Sequence, residues 1–583
     1  MKNSRTAIWA GGCFLFVMAI CGGCTTFRAG TKAEPTKLLY EKVLLGKVSD
    51  YEVMWAEGRW GREYLLKSSR VGQEGFNIQG IKGRSCADNK AWLMIRNVKT
   101  QKGEAVSLAY SGNWRIEVLP EGDNTRLRAC TLPESLGVFK TAGGVPFPGA
   151  LVADFKGEWD NGAQKITRYI RKNLLRDMGK DWPLVMYNTW YDRAEKIDEG
   201  RLKELAKTAA GMGCELFVID AGWYGNAAVW SDSLGDWTVN RERLPNGIGP
   251  IADEVHRLGM KFGIWVEIEN VHENIAVAKE HPEWLLHDGQ KIMKSWGGRM
   301  TMDLGNEEAL AWVTSQIDGI VSGFGLDYIK MDFNADLMVD VNKPRGEVCP
   351  LWKHYRGLVR LWDHMREKYP KLIIENCSSG SLRYDVMSAA ETDTHWVSDE
   401  VKNEYNLAMN FGATYLFPPE ICSHWTCYPA ASDAMDVESC FTANMLGQMG
   451  LSGDIIGWDA KTRACAAERI ALYKDIRPVI RNSDVYHLTE QLKPEKPNMV
   501  QAAQYMDGEN GRAVVFVFQA GDPAMQVNLR LRGLKEKVSY RVKMPEGFGC
   551  ERSAKGEELM TTGLQVKFPH RGASAVIEVT SAN

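Results

Sequence analysis

The sequence predicts a multidomain protein: an N-terminal β-sandwich, a central (β/α)8 TIM-type barrel and a C-terminal antiparallel β-sandwich. Three observations carry this. The 583 residues exceed what one hydrophobic core usually supports. Over residues 176–485, apolar strands alternate with amphipathic helices, the rhythm of parallel β/α units. On both sides of that stretch the pattern changes to short alternating segments broken by Gly, Asn and charges, as in all-β units.

The chain opens "MKNSRTAIWAGGCFLFVMAICGGCTT". Basic Lys2 and Arg5, an apolar run over 7–20 and small Gly22 and Gly23 before Cys24 predict an export signal of lipoprotein type over residues 1–24. Cys24 is then the lipidated residue, and the expected location is the periplasm or cell surface, on an outer membrane. The apolar run is short for a bilayer span.

Residues 25–175 contain strand-like runs such as "KAWLMIRNV" and "VSLAYSGNWRIEV". The barrel rhythm starts at "PLVMYNTW". A helix with Leu202, Leu205, Ala206 and Ala209 on one face leads into "CELFVIDAGW". A helix with Ile251, Val255 and Leu258 leads into "KFGIWVEIE", and "WVTSQIDGIVSGFG" leads into "LDYIKMDFN". Leu358, Leu361, Trp362 and Met365 mark the helix before "KLIIENCSSG", after which come "THWVSDE" and "ATYLFPPE". From 486 to 583 the runs "GRAVVFVF", "VNLRLR" and "ASAVIEV" alternate as strands of a second sandwich.

A net charge of −3 without a Lys/Arg stripe argues against a nucleic-acid partner. Of 13 cysteines, three lie in the leader; Cys422 and Cys427 of "CSHWTC" are the closest candidate disulfide. With His424 they offer too few ligands for zinc, and no metal site is predicted.

Side chains at the carboxyl ends of parallel barrel strands converge on one mouth. Here those ends carry Asp220, Glu267, Glu269, Asp332, Glu375 with Asn376, and Asp399. Carboxylates converging without histidines or cysteines suit acid/base and nucleophilic work on a sugar. Trp190, Trp223, Trp237, Trp265 and Trp396 lie beside them and offer indole faces for a sugar ring. Lys330 shares strand parity with Asp332, so its ammonium points into the barrel, binds hydroxyls and favours an ionised Asp332. A buried structural ion pair is the other reading of those two residues.

The ordered blocks "YSGNW", "CELFVIDAGWYG", "GDWTVNRERLPNG", "LGMKFGIWVE", "DYIKMDFN", "ENCSSGSLRYD", "WVSDE" and "LYKDIRPVI" resemble glycoside hydrolase family 36, the bacterial α-galactosidase family. The resemblance implies retaining, exo-acting hydrolysis of terminal α-linked galactose, without metal or organic cofactor. It implies Asp332 as nucleophile and Asp399 as general acid/base. Asp220, Trp237, Lys330, Cys377 and Gly380 then bind sugar, the last two near its 2-position. Trp223, Trp265, Asn334 and Trp396 complete the expected substrate-binding set. The expected partner is a glycan or oligosaccharide ending in α-galactose.

Departures from the family pattern bear on specificity. Ala221 stands where a second acid is usual, and Met331 and Ala335 replace a tryptophan and an arginine. An α-N-acetylgalactosaminidase or β-L-arabinopyranosidase of the same mechanism, or a non-catalytic glycan-binding lipoprotein, are the alternatives. The N-terminal β segment is shorter than in the large tetrameric members, which leaves the oligomeric state open.

Overall fold

The computed structural model describes residues 14–16, 37–132, 139–140, 144, 146–287, 291–337, 350–429, 434–522 and 524–582. Cys24 and nearly all of the expected leader lie outside them.

At the core of the fold are eight parallel strands in a closed barrel, in chain order: β1 (Met186–Asn188), β2 (Leu216–Ile219), β3 (Lys261–Val266), β4 (Tyr328–Met331), β5 (Ile373–Asn376), β6 (Thr394–Trp396), β7 (Cys422–Thr426) and β8 (Gln448–Leu451). Period-two alternation sorts their side chains. Met186, Leu216, Val218, Tyr328 and Ile373 fill the interior, while Phe217, Ile219, Ile329 and Ile374 face the surrounding helices. Gly263 in β3 makes room for the Tyr328 side chain, whose Cβ lies 2.9 Å and whose ring lies 3.0 Å from where a Cβ of residue 263 would stand.

The helices dock by the faces expected. Leu202, Leu205, Ala206 and Ala209 are buried on the helix Glu199–Met212, which Asp198 caps by accepting from Arg201 N and Gly213 ends in a left-handed turn. Leu358, Leu361, Trp362 and Met365 are buried on the helix Pro350–Lys368.

Before the barrel, a six-stranded sheet packs on a four-stranded one, with Val53, Leu93, Ile95 and Val106 of the first sharing a core with Ile116, Val118, Leu127 and Ala129 of the second. After it, strands from Asp484–His487 to Ser574–Ser581 form a six-stranded antiparallel sheet beside a two-stranded one. This unit has its own core of Val515, Val517, Val542, Leu559, Val566 and Ile577.

Two expectations are corrected. "ATYLFPPE" is not a strand: it closes the helix Asn403–Ala413 and turns at Pro418 and Pro419, which cannot donate to a ladder. The seventh strand is instead "CSHWT", so Cys422 and Cys427 lie five extended residues apart, about 16 Å, and both are free thiols.

Candidate active site

Trp265 on β3, Lys330 on β4, Glu375 on β5 and Thr394 on β6 are successive partners in the barrel register, so their side chains share the inward face near the strand ends. One step beyond β4 stands Asp332, 9% exposed. Its Oδ2 accepts from Trp265 Nε1 at 3.2 Å and Asn334 Nδ2 at 2.9 Å. Its Oδ1 accepts from the amides of Phe333 at 2.7 Å and Ser379 at 3.1 Å. Burial opposes ionisation, but the Lys330 ammonium and hydrogen bonds from Asn334, Cys377 and the Ser379 amide outweigh it, holding Asp332 below the usual aspartate value.

Asp399 follows β6 and is partly exposed. Its Oδ1 accepts from Trp396 Nε1 at 2.8 Å and its Oδ2 from Trp60 Nε1 at 3.1 Å, while its backbone carbonyl accepts from the Tyr191 hydroxyl at 2.7 Å. Burial first, and then the charge of Asp332, raise it above the ordinary value, against Lys330 and the two indole donors. The turn after β5 ties the two acids together. Ser379 donates to Asp332, and the missing Cβ of Gly380 would stand 3.4 Å from the Asp399 amide nitrogen.

Lys330 is buried, 3.5 Å from Asp220 Oδ2 and above the Trp425 and Trp396 rings at 4.2 and 5.2 Å. Burial disfavours its charge, yet Asp220 and the other acids push its proton affinity above that of an ordinary lysine. Asp220 also accepts from Asn188 Nδ2 at 2.8 Å. Glu375 lies beside this group, raised to about 7 by burial, with Asp220 and Asp332 adding, against Lys330 and the neighbouring Tyr328 hydroxyl. Asn334 ties Asp332 to Glu267, whose oxygens accept from its backbone N–H at 2.7 Å and its side chain at 2.9 Å.

Asp220, Trp265, Lys330, Asn334, Cys377, Gly380 and Trp396 therefore surround Asp332 and Asp399. Trp237 stands further back, 7% exposed, its ring centroid 4.8 Å from that of Tyr224, whose ring stacks on Trp265. Trp223 is not brought to the mouth: it is fully buried and spends its N–H on the Trp265 carbonyl at 2.9 Å. Two of the strand-end acids and amides read as pocket-lining are structural. Glu269 is sealed in by both guanidinium nitrogens of Arg383, at 2.8 and 2.6 Å, and by His354 at 3.0 Å. Asn376 has the opposite parity to Glu375, faces outward, and donates to the Arg383 carbonyl at 3.0 Å. The face of Gly380 that lacks a side chain meets Glu63 Oε1 and Ser398 Cα, at 2.7 and 3.0 Å from the absent Cβ, so packing accounts for the glycine there.

Three contributors escaped the sequence reading. Trp60 and Glu63 come from the N-terminal β unit. Arg299 comes from a hairpin after β3, pairing Arg299–Thr301 with Asn270–His272. Its guanidinium is fully buried, 3.9 Å from the Trp296 ring and 4.7 Å from Trp230. It donates to the Asn334 carbonyl at 3.2 Å, and its Nε and Nη2 have no hydrogen-bond partner among the described residues. Arg299 lies outside the barrel strands, at whose ends the sequence reading sought the site residues. Among the described residues no group of three or more His, Cys, Asp or Glu could hold a metal ion.

Chemically, the arrangement presents one carboxyl shifted toward its ionised form and one shifted toward its protonated form at a shared mouth, with a cation between acids and indoles around them. A Melibiase model matches residues 152–483, a Glycosyl hydrolase family 36 N-terminal domain matches 36–136, and the C-terminal domain of that family matches 500–579. Alpha-galactosidase AgaA of Geobacillus stearothermophilus is 26% identical over 544 residues, covering 91% of this chain and 73% of the relative. The alpha-galactosidase of Escherichia coli is 27% identical over 505 residues, covering 85% and 70%. The solved structure of a GH36 alpha-galactosidase AgaA variant in complex with raffinose shares the fold, with a TM-score of 0.81 at 22% identity over 93% of this chain and 76% of that one. The chain thus belongs to the melibiase family of glycoside hydrolases, flanked by the N- and C-terminal domains of glycosyl hydrolase family 36.

Proposed function

We propose that the protein is a retaining, exo-acting α-galactosidase that works through a covalent glycosyl-aspartate on Asp332. The observation that carries this reading is the opposite displacement of two neighbouring carboxyls, Asp332 toward the ionised form and Asp399 toward the protonated one. Asp332 attacks the anomeric carbon as Asp399 gives its proton to the departing glycosidic oxygen. Asp399, now a carboxylate, takes a proton from water, whose oxygen displaces Asp332 from the same carbon. Two inversions return the starting configuration. Asp220, Lys330 and Arg299 offer charged groups to the sugar hydroxyls, and Trp265 holds the nucleophile by its N–H. Relatives crystallised with raffinose and stachyose support an α-galactosyl oligosaccharide as substrate.

Proton NMR of an aryl α-galactoside during hydrolysis should show α-galactose first, with the β-anomer appearing only by mutarotation. Release of β-galactose first would overturn the retaining mechanism. Hydrolysis of an α-N-acetylgalactosaminide or a β-L-arabinopyranoside, but not of the galactoside, would overturn the substrate.

The leader supports a second part of the reading, export and lipid anchoring through Cys24. Metabolic labelling with a radioactive fatty acid should mark the wild type and not Cys24→Ser; equal labelling rejects it.

A further inference from the structure

Residues 58–65 join the strands Tyr51–Glu57 and Leu66–Arg70 of the N-terminal β unit and reach across to the end of β6. Tyr64 bonds His395 Nε2 at 3.0 Å, Glu63 Oε2 accepts from the Ser398 hydroxyl at 2.7 Å, and Trp60 donates to Asp399. Gly61 lies against Glu400, whose Cβ would be 3.6 Å from a Cβ there. The loop is itself braced. Glu57 and Leu65 pair at 2.9 Å, the Glu57 carboxylate accepts from Arg62 at 2.8 Å, and Gln491 Nε2 holds the Tyr64 carbonyl at 2.9 Å. A fully buried carboxyl with one oxygen lacking a partner among the described residues, as in Glu63, is costly unless it does something.

We infer that this loop is a working part of the catalytic centre, in which Trp60 is a positioning residue for the Asp399 carboxyl and Glu63 fixes the Ser398 backbone on which that carboxyl is carried. The inference rests on Asp399 being the general acid/base. An indole N–H donated to a carboxylate favours its ionised form, so Trp60 acts on proton affinity as well as on orientation. The other groups facing Asp399 are Asp332 and Lys330 from β4, Cys377 after β5, Tyr191 after β1, Trp396 of β6, and Glu63.

Acid catalysis matters most when the leaving group is poor. Trp60→Phe should therefore lower kcat/KM on an α-galactosyl disaccharide about tenfold or more, while an α-galactoside with a dinitrophenol leaving group changes less than about twofold. The alkaline limb of kcat/KM should move to higher pH, because Asp399 binds its proton more tightly without that donor. Trp60→His, which restores a ring N–H, should recover part of the loss, and Glu63→Ala should show the same leaving-group dependence as Trp60→Phe. Trp60 is 57% exposed, so its replacement leaves the core intact; thermal unfolding checks this. Equal losses on both substrates, or an unmoved alkaline limb, would overturn the inference. Asp399→Ala, measured in parallel, separates the two claims: if it lacks leaving-group dependence, the acid/base reading fails. If it has that dependence and Trp60→Phe does not, only the loop inference fails.

Discussion

Lys330 Nζ lies 3.5 Å from Asp220 Oδ2 inside the barrel, so the cation that favours ionised Asp332 has its own counter-ion two strands away. The ammonium lies inside the barrel, as its strand parity predicts. It belongs to a buried ion pair, and the pair is with Asp220 rather than with Asp332. Lys330→Met should raise the Asp332 pKa, because the lysine charge lowers it. The acid limb of kcat/KM then moves to higher pH, and kcat/KM falls on the order of 100-fold. The variant also leaves Asp220 buried without a cation, at a cost of about 3–5 kcal/mol. Adding Asp220→Asn should recover that stability in urea unfolding without recovering activity.

Asp332 and Asp399 are coupled through their charges. Asp332 raises Asp399, so Asp332→Asn should lower the Asp399 pKa, which carbon-13 NMR of labelled aspartate can follow. In the wild type, kcat/KM should be bell-shaped. Its acid limb lies below the ordinary aspartate value, where Asp332 takes up a proton, and its alkaline limb lies above that value, where Asp399 loses one. An Asp399 resonance that titrates identically in the variant would contradict the coupling.

Gly380 has φ +85°, and a Cβ there would stand 2.7 Å from Glu63 Oε1 and 3.0 Å from Ser398 Cα. Gly380→Ala should destabilise the protein by about 1–3 kcal/mol. It should also lower kcat/KM, since the same turn aims the Ser379 amide at Asp332. Gly211 is the control: it is an exposed helical glycine with nothing within 4 Å of its Cβ position. Gly211→Ala should stabilise by about 0.5–1 kcal/mol in the same unfolding experiment.

Glu269 links folding to pH. Burial alone would raise it, but Arg383 and His354 outweigh burial and depress it from 4.5 to about 2. A carboxyl depressed in the folded state adds stability above its unfolded pKa and loses it as pH falls toward the folded one. About 3 kcal/mol should therefore be present above pH 4.5 and vanish toward pH 2. Urea midpoints measured across that range should slope steeply for the wild type, and less so for Glu269→Gln.

Much of this site was legible because β-structure writes itself in parity. Lys330 and Asp332 differ by two and share a face, and the apolar runs before Asp220, Asp332 and Glu375 are barrel strands. Parity failed where the backbone leaves the sheet. Glu269 lies three residues past the end of β3, and its direction is set by Arg383 and His354 rather than by the pleat. Neighbours in sequence misled at Trp223, whose ring turns behind Trp265 to satisfy its N–H. "CSHWT" went unread as a strand because its cysteines and histidine drew attention to thiol and metal chemistry. Trp60 and Glu63 are about 340 residues from Asp399 in the chain. They sit in a loop without periodicity, so only tertiary docking could reveal them.

The indole pair on Asp399 also bears on how such enzymes are inherited and engineered. One donor is encoded at residue 396, in the barrel, and the other at residue 60, in the N-terminal β unit. A barrel excised at its own borders keeps Asp332 and Asp399 but leaves one carboxyl oxygen of Asp399 without its indole donor. Recombination that swaps the leading β unit between relatives thus exchanges a tuning element of the reaction, and chimaeras should inherit their pH profile partly from the donor of that unit.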